Sequence, residues 1–117
     1  MNSDEFVEAI KLVVVDGAVS GELENLEKPA GRKPRPSLVE MSVWFNGLPE
    51  QDKVMVGRVI RDAVEFGVFN FFAVLDGVAV IESSPDKGDL ELYYVKDGNR
   101  VRLNEPGNPL HDIFNAP

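Results

Sequence analysis

Apolar residues recur at helical spacing through most of this chain and change to strict alternation only near its end. Phe6, Ile10, Val13 and Val14 mark the inner face of a first helix over residues 3–15, with Glu8 and Lys11 outside it. Asn2 or Ser3 caps that helix, and Asn2 with Glu5 has capping-box spacing. Asp16-Gly17 reads as a stop or bend. Val19, Leu23 and Leu26 then predict a second helix, weakened by Gly21.

Residues 28–36 break the pattern. Three prolines and a glycine remove amide donors and hold their neighbours extended, which predicts an irregular connecting loop. A third helix follows, with Ser37-Leu38-Val39-Glu40 as its capping box, Leu38, Met41, Trp44 and Phe45 as its inner face, and Asn46-Gly47 as its end. Pro49 suits the first turn of a fourth helix, where Glu50 and Asp52 complement the dipole. Val56, Val59, Ile60, Ala63 and Val64 form its stripe, with Arg58–Asp62 and Arg61–Glu65 as i, i+4 pairs.

From Phe66 to Leu75 the chain is apolar nearly all round, which reads as a central buried helix stopped by Asp76-Gly77. The competing reading breaks the helix at Gly67 and makes Val68–Leu75 a buried strand. Val78–Ile81 reads as a short strand and residues 83–88 as a loop. Leu90–Val95 and Arg100–Leu103 alternate on either side of Asp97-Gly98, the sequence of a hairpin with a type I′ turn. Pro109–Phe114 reads as a last short helix, with Leu110, Ile113 and Phe114 pinning the terminus to the core.

The pattern as a whole predicts an α+β fold. It comprises about four helices, a short C-terminal helix, and a C-terminal hairpin or small antiparallel sheet, in one domain over residues 1–117. At 117 residues one core suffices.

Charge alters this picture in one place. The formal net charge is −8, yet four of the twelve basic residues (Lys28, Arg32, Lys33 and Arg35) stand in the 28–36 loop. The acidic remainder disfavours nucleic acid and anionic lipid and favours solubility or a basic partner. The loop offers Arg32, Lys33 and Arg35 as an alternative grip on phosphate, but no aromatic residues interleave with them. The acidic start Met-Asn-Ser-Asp-Glu and the shortness of the apolar runs predict a cytoplasmic protein that does not enter membranes.

Candidate chemistry is sparse. With no cysteine, thiolate chemistry and Cys-type metal sites are excluded. His111 is the single histidine, and its neighbour Asp112 is expected on a different helix face. The acids near the hairpin miss calcium-loop spacing, and Gly31-Arg32-Lys33 lacks the context of a phosphate loop. No catalytic, cofactor or metal residues are therefore assigned, although a hydrolase or transferase using carboxylates stays open as an alternative. Trp44, Asn46, His111 and Asp112 join the three loop cations as the expected interaction surface. If aromatic residues stay partly exposed, they mark that surface.

Five segments carry a resemblance: Gly31-Arg32-Lys33-Pro34, Trp44-Phe45-Asn46, Val74-Leu75-Asp76-Gly77-Val78, Leu92-Tyr93-Tyr94-Val95 and Leu110-His111-Asp112-Ile113-Phe114. Through them the chain resembles a family of small bacterial proteins of uncharacterised function, over residues 1 to 115. The resemblance implies a bacterial cytoplasmic protein and brings no activity or cofactor with it. Apart from that resemblance, the expected function is non-enzymatic protein binding, with an immunity-protein or antitoxin role, supported by the acidic body, as one form.

Overall fold

The first 27 residues form one helix with an irregular turn inside it. In the computed structural model, which describes residues 1–117, α1 (Ser3–Ile10) passes through a π-helical segment (Lys11–Asp16) into α2 (Gly17–Glu27). Asn2 caps α1 through the reciprocal box: Glu5 N–H donates to Asn2 Oδ1 at 2.9 Å and Asn2 N–H to Glu5 Oε1 at 3.2 Å. The expected stop at Asp16-Gly17 does not occur, because Asp16 stays in the right-handed helical region. Bonding of the i→i+5 kind takes up extra residues per turn. The inner face therefore moves along the chain: Val15 is buried, whereas Val13 and Val14 are exposed.

After the loop come α3 (Pro36–Asn46), α4 (Glu50–Leu75), the strands β1 (Tyr93–Lys96) and β2 (Asn99–Arg102), and α5 (Leu110–Asn115). Helix α3 begins earlier than its Ser37 capping box predicts. Arg35 occupies the cap position without a side-chain bond, and Pro36 follows at the first helical position, where its fixed φ and missing N–H suit the helix. Residues 66–75 are helical, which settles the helix-or-strand choice. They are not buried all round, since Phe66 and Phe71 stay exposed. Of the two expected pairs on α4, Arg61–Glu65 forms at 3.6 Å. Arg58–Asp62 does not form; Arg61 instead also reaches Asp16 at 3.0 Å.

The chain divides into two compact units, residues 13–65 and residues 1–12 with 66–117. In the first, α2 packs on α3 around Val15, Val19, Leu26, Leu38 and Phe45. Ser42, not Trp44, shares the inner face of α3, because Leu38, Ser42 and Phe45 stand at i, i+4 and i+7 while Trp44 is turned about 100° from Phe45. Asn46 ties the helices together: its Nδ2 donates to the carbonyls of Glu27 at 3.0 Å and Leu26 at 3.4 Å, orphan acceptors at the end of α2.

In the second unit α1 and α5 pack against the end of α4 around Val7, Phe72 and Leu110, with Phe6, Ile113 and Phe114 beside them. Phe72 meets Phe6 at 6.1 Å and Phe114 edge-on at 5.7 Å between ring centroids. Leu110, Ile113 and Phe114 thus pin the C-terminus as their spacing predicts. The hairpin also forms as expected, with Lys96 paired to Asn99 and positive φ at both turn residues, 52° at Asp97 and 79° at Gly98. Its strands are shorter than the alternating runs, and the expected strand Val78–Ile81 is irregular chain with no pairing partner.

Asn104 joins these parts. It is buried, and its Nδ2 donates to the carbonyls of Leu75 at 2.6 Å and Leu90 at 2.8 Å. Its Oδ1 accepts the amide of Leu92 at 2.8 Å. Asn104→Ala leaves two carbonyls and an amide without partners, and we expect unfolding in urea to report a loss of about 3 kcal/mol. A loss below about 1 kcal/mol would show that water replaces the side chain.

On the hairpin, the Tyr93 hydroxyl donates to Glu91 Oε1 at 2.6 Å, and this bond holds its pKa above the ordinary 10.0, with burial and the Glu91 charge adding to it. Because the folded value is raised, any stability linked to this proton is complete below pH 10.0 and is lost as pH rises through the folded value. Ultraviolet titration should find Tyr93 ionising above 10.0, and Glu91→Ala should bring it back down.

Candidate functional site

The strongest polar constellation in the protein lies where α4 ends and α5 begins. Asp76 follows the last residue of α4, and its side chain is only 3% exposed. Its Oδ2 accepts twice from His111: from the backbone N–H at 2.9 Å and from ring Nδ1 at 2.6 Å. A carboxylate only accepts, so Nδ1 carries a proton and donates it. Asp76 thereby does for the first turn of α5 what a capping residue would do; Pro109, which occupies the cap position, has no side chain able to accept. The ring also meets Phe69 edge-on at 5.9 Å.

On the other side of the ring, His111 Nε2 lies 3.3 Å from Asp112 Oδ1. This corrects the expectation that the two neighbours look away from one another. In so short a helix the imidazole is held by Asp76, and the exposed Asp112 side chain is free to swing towards it. Each ring nitrogen therefore faces a carboxylate, and no hydroxyl bonds to either. The arrangement orients an imidazole, as in the base–orienter half of a catalytic triad, but supplies no nucleophile. No three His, Asp or Glu side chains converge closely enough to hold a metal ion.

The other expected surface residues lie in the unit of residues 13–65. Arg32, Lys33 and Arg35 are exposed on the loop before α3, without ion-pair partners. Trp44 is 57% exposed, beside Val43 at 71%. Asn46 is not available to a ligand in the same way, because its amide is engaged by the fold. The seven residues thus fall into a loop, a helix face and the Asp76-held His111–Asp112 pair. The sequence reading missed Asp76 as a partner of His111. The Asp76-Gly77 stop signal was visible, but nothing in it says that the carboxylate turns to a helix 35 positions away.

No helix is long and apolar enough to cross a membrane. The fold defines a small α+β class: long helices with a C-terminal hairpin and terminal helix. Compared with protein-family models, curated proteins and solved structures, the chain matches none.

If Asp76 and His111 act as one unit, their contributions to stability are coupled. We expect Asp76→Ala to cost about 2–4 kcal/mol and His111→Ala about 1–2 kcal/mol, with the double variant falling short of the sum by about 1 kcal/mol. Additive losses in urea unfolding would mean that the ring–carboxylate bond contributes nothing of its own.

Proposed function

We propose that this chain is a protein-binding module that docks its partner on the outer face of α3. One observation carries the reading: α3 holds six large apolar residues, Leu38, Val39, Met41, Val43, Trp44 and Phe45, and only Leu38 and Phe45 are buried. A helix apolar on every side is ordinarily enclosed. Here the unit of residues 13–65 covers one side and leaves Val39 and Val43 on one flank, Met41 and Trp44 on the other. Tryptophan is among the residues that most often anchor an interface, through its large rigid area and single donor.

The loop cations lie immediately before this helix, with Arg35 as its cap residue. Exposed and unpaired, they accelerate encounter with a partner more than they hold it. A stoichiometric inhibitor of the immunity-protein or antitoxin kind is one form such a module takes, since inhibition by binding needs surface complementarity and no catalytic groups. The oriented imidazole of His111 supports a second reading, hydrolase or transferase chemistry with carboxylates. It ranks lower because the ring has no nucleophile beside it. Loss of a substrate-dependent activity on His111→Ala, in a protein that still folds, would raise it.

The experiment is affinity capture from cells at low and moderate salt, followed by titration of the captured partner against variants. Trp44 is the only tryptophan, so its fluorescence reports directly on this helix. We expect the partner to shift Trp44 emission to the blue. Val43→Ser with Trp44→Ser should weaken binding by about 30-fold or more while thermal stability stays within about 1 kcal/mol. Neutralising Arg32, Lys33 and Arg35 together should slow association and leave dissociation nearly unchanged. A partner that binds without altering Trp44 emission, and binds the serine variant equally well, would refute the α3 interface.

A further inference from the structure

Oδ1 of Asp76 is the one buried side-chain polar atom of the protein without a hydrogen-bond partner. Its twin Oδ2 takes both His111 donors, so the orphan is not a by-product of a poorly placed side chain. A buried carboxylate oxygen left unpaired is costlier than an unpaired neutral acceptor, and native folds retain few of them. Asp76 also lines a cleft of about 370 Å³, within the size range of small-ligand sites. The wall carries two further carboxylates, Asp89 and Glu105, both exposed, against one cation, Arg102. That cation is already engaged, 4.0 Å from Glu91 Oε1 and 3.4 Å from Asn104 Oδ1.

We propose that this cleft binds a primary ammonium group, carried by a free alkylamine or by a lysine side chain of a polypeptide. Asp76 Oδ1 accepts its hydrogen bond, and Asp89 and Glu105 supply counter-charge. An ammonium suits the site better than a guanidinium, because only one Asp76 oxygen is free and a planar fork asks for two. A quaternary ammonium has no proton to donate, and no aromatic side chain lines the cleft to hold one. A metal ion is disfavoured, since no three side chains converge on one point. Oδ1 is covered in the free protein, so the ammonium reaches it as the exposed corner at Gly77 and Val78 gives way.

The test is an amide NMR titration of the whole chain with three probes: putrescine, an Nα-acetylated lysine amide and tetramethylammonium. We expect saturable shifts at Asp76, Gly77, Val78 and the Asn104 side-chain amide with one or both of the first two, and none with the third. Binding of the lysine amide identifies a polypeptide side chain as an acceptable source; binding of putrescine alone points to a free amine. Asp89→Asn with Glu105→Gln, neither of which has a side-chain bond within the fold, should weaken binding roughly tenfold. Asp76→Asn should abolish it where that variant folds, and the double variant decides the matter where it does not. Absence of saturable shifts with both amines, equal shifts with tetramethylammonium, or unchanged binding by the double variant would overturn the proposal.

Discussion

The end of α4 is held by two side chains, and most of the second unit depends on that grip. Asn104 takes the carbonyl of Leu75 while Asp76, the next residue, takes the backbone amide and the ring of His111 in α5. Helix α4 runs 26 residues, yet only Phe72 and Ala73, both close to its end, are buried. The apolar enclosure of that end is small: Val7, Phe72 and Leu110, with partly covered neighbours. A core of this size sets distances loosely, because apolar contact has no direction. The hydrogen bonds of Asn104 and Asp76 supply the direction, fixing where the hairpin and the terminal helix stand against the helix end. Buried polar groups of this kind favour one arrangement over near alternatives, provided each finds its partners.

What could be read from the sequence follows the range over which each signal acts. The hairpin was legible because Asp97-Gly98 dictates its own positive φ values and register, whatever surrounds it. The Asn2–Glu5 box and the anchoring role of Leu110 and Phe114 were legible for the same reason: spacing within one element specifies them. Trp44 was misplaced because α3 is apolar on every side, so periodicity cannot choose its inner face. The choice fell to Ser42, which receives the Asn46 amide at 3.3 Å and packs between Leu38 and Phe45. Val13 and Val14 were misplaced by the π segment, whose altered turn no α-helical wheel anticipates. Asn104 and Asp76 act across 29 and 35 residues, distances at which a single sequence carries no pairing signal.

The surface left after folding is unusual in where its apolar residues stand. Single exposed aliphatic residues are ordinary on a protein of this size. Four on one eleven-residue helix, including the only tryptophan, are not scattered singly. Increasing polarity on that face would have made the unit more soluble without disturbing Leu38, Ser42 or Phe45, so the folded chain alone gives no reason for the apolar choice. The proposed partner would supply one. The basic loop fits the same reading, since Arg32, Lys33 and Arg35 are exposed cations on a chain whose total charge is −8. Their concentration before α3 gives this loop a sign opposite to the chain's total, and on the proposed reading that charge orients the partner before apolar contact is made.

The Asp76 carboxylate raises the same question on a smaller scale. Capping α5 needs one acceptor oxygen, and asparagine offers one with the same reach and a comparable capping preference. That oxygen has two lone pairs and could accept from both the His111 amide and Nδ1. What aspartate adds is a negative charge and a second acceptor, and the fold places both next to a cleft whose exposed wall is also acidic. The charge strengthens the cap, but the second acceptor, Oδ1, takes no part in it. A buried acceptor oxygen that no donor of the fold reaches lowers stability unless something outside the chain completes it. The capping role therefore accounts for Oδ2 and leaves Oδ1 without a donor, and that remainder is the ground on which the ammonium site is proposed.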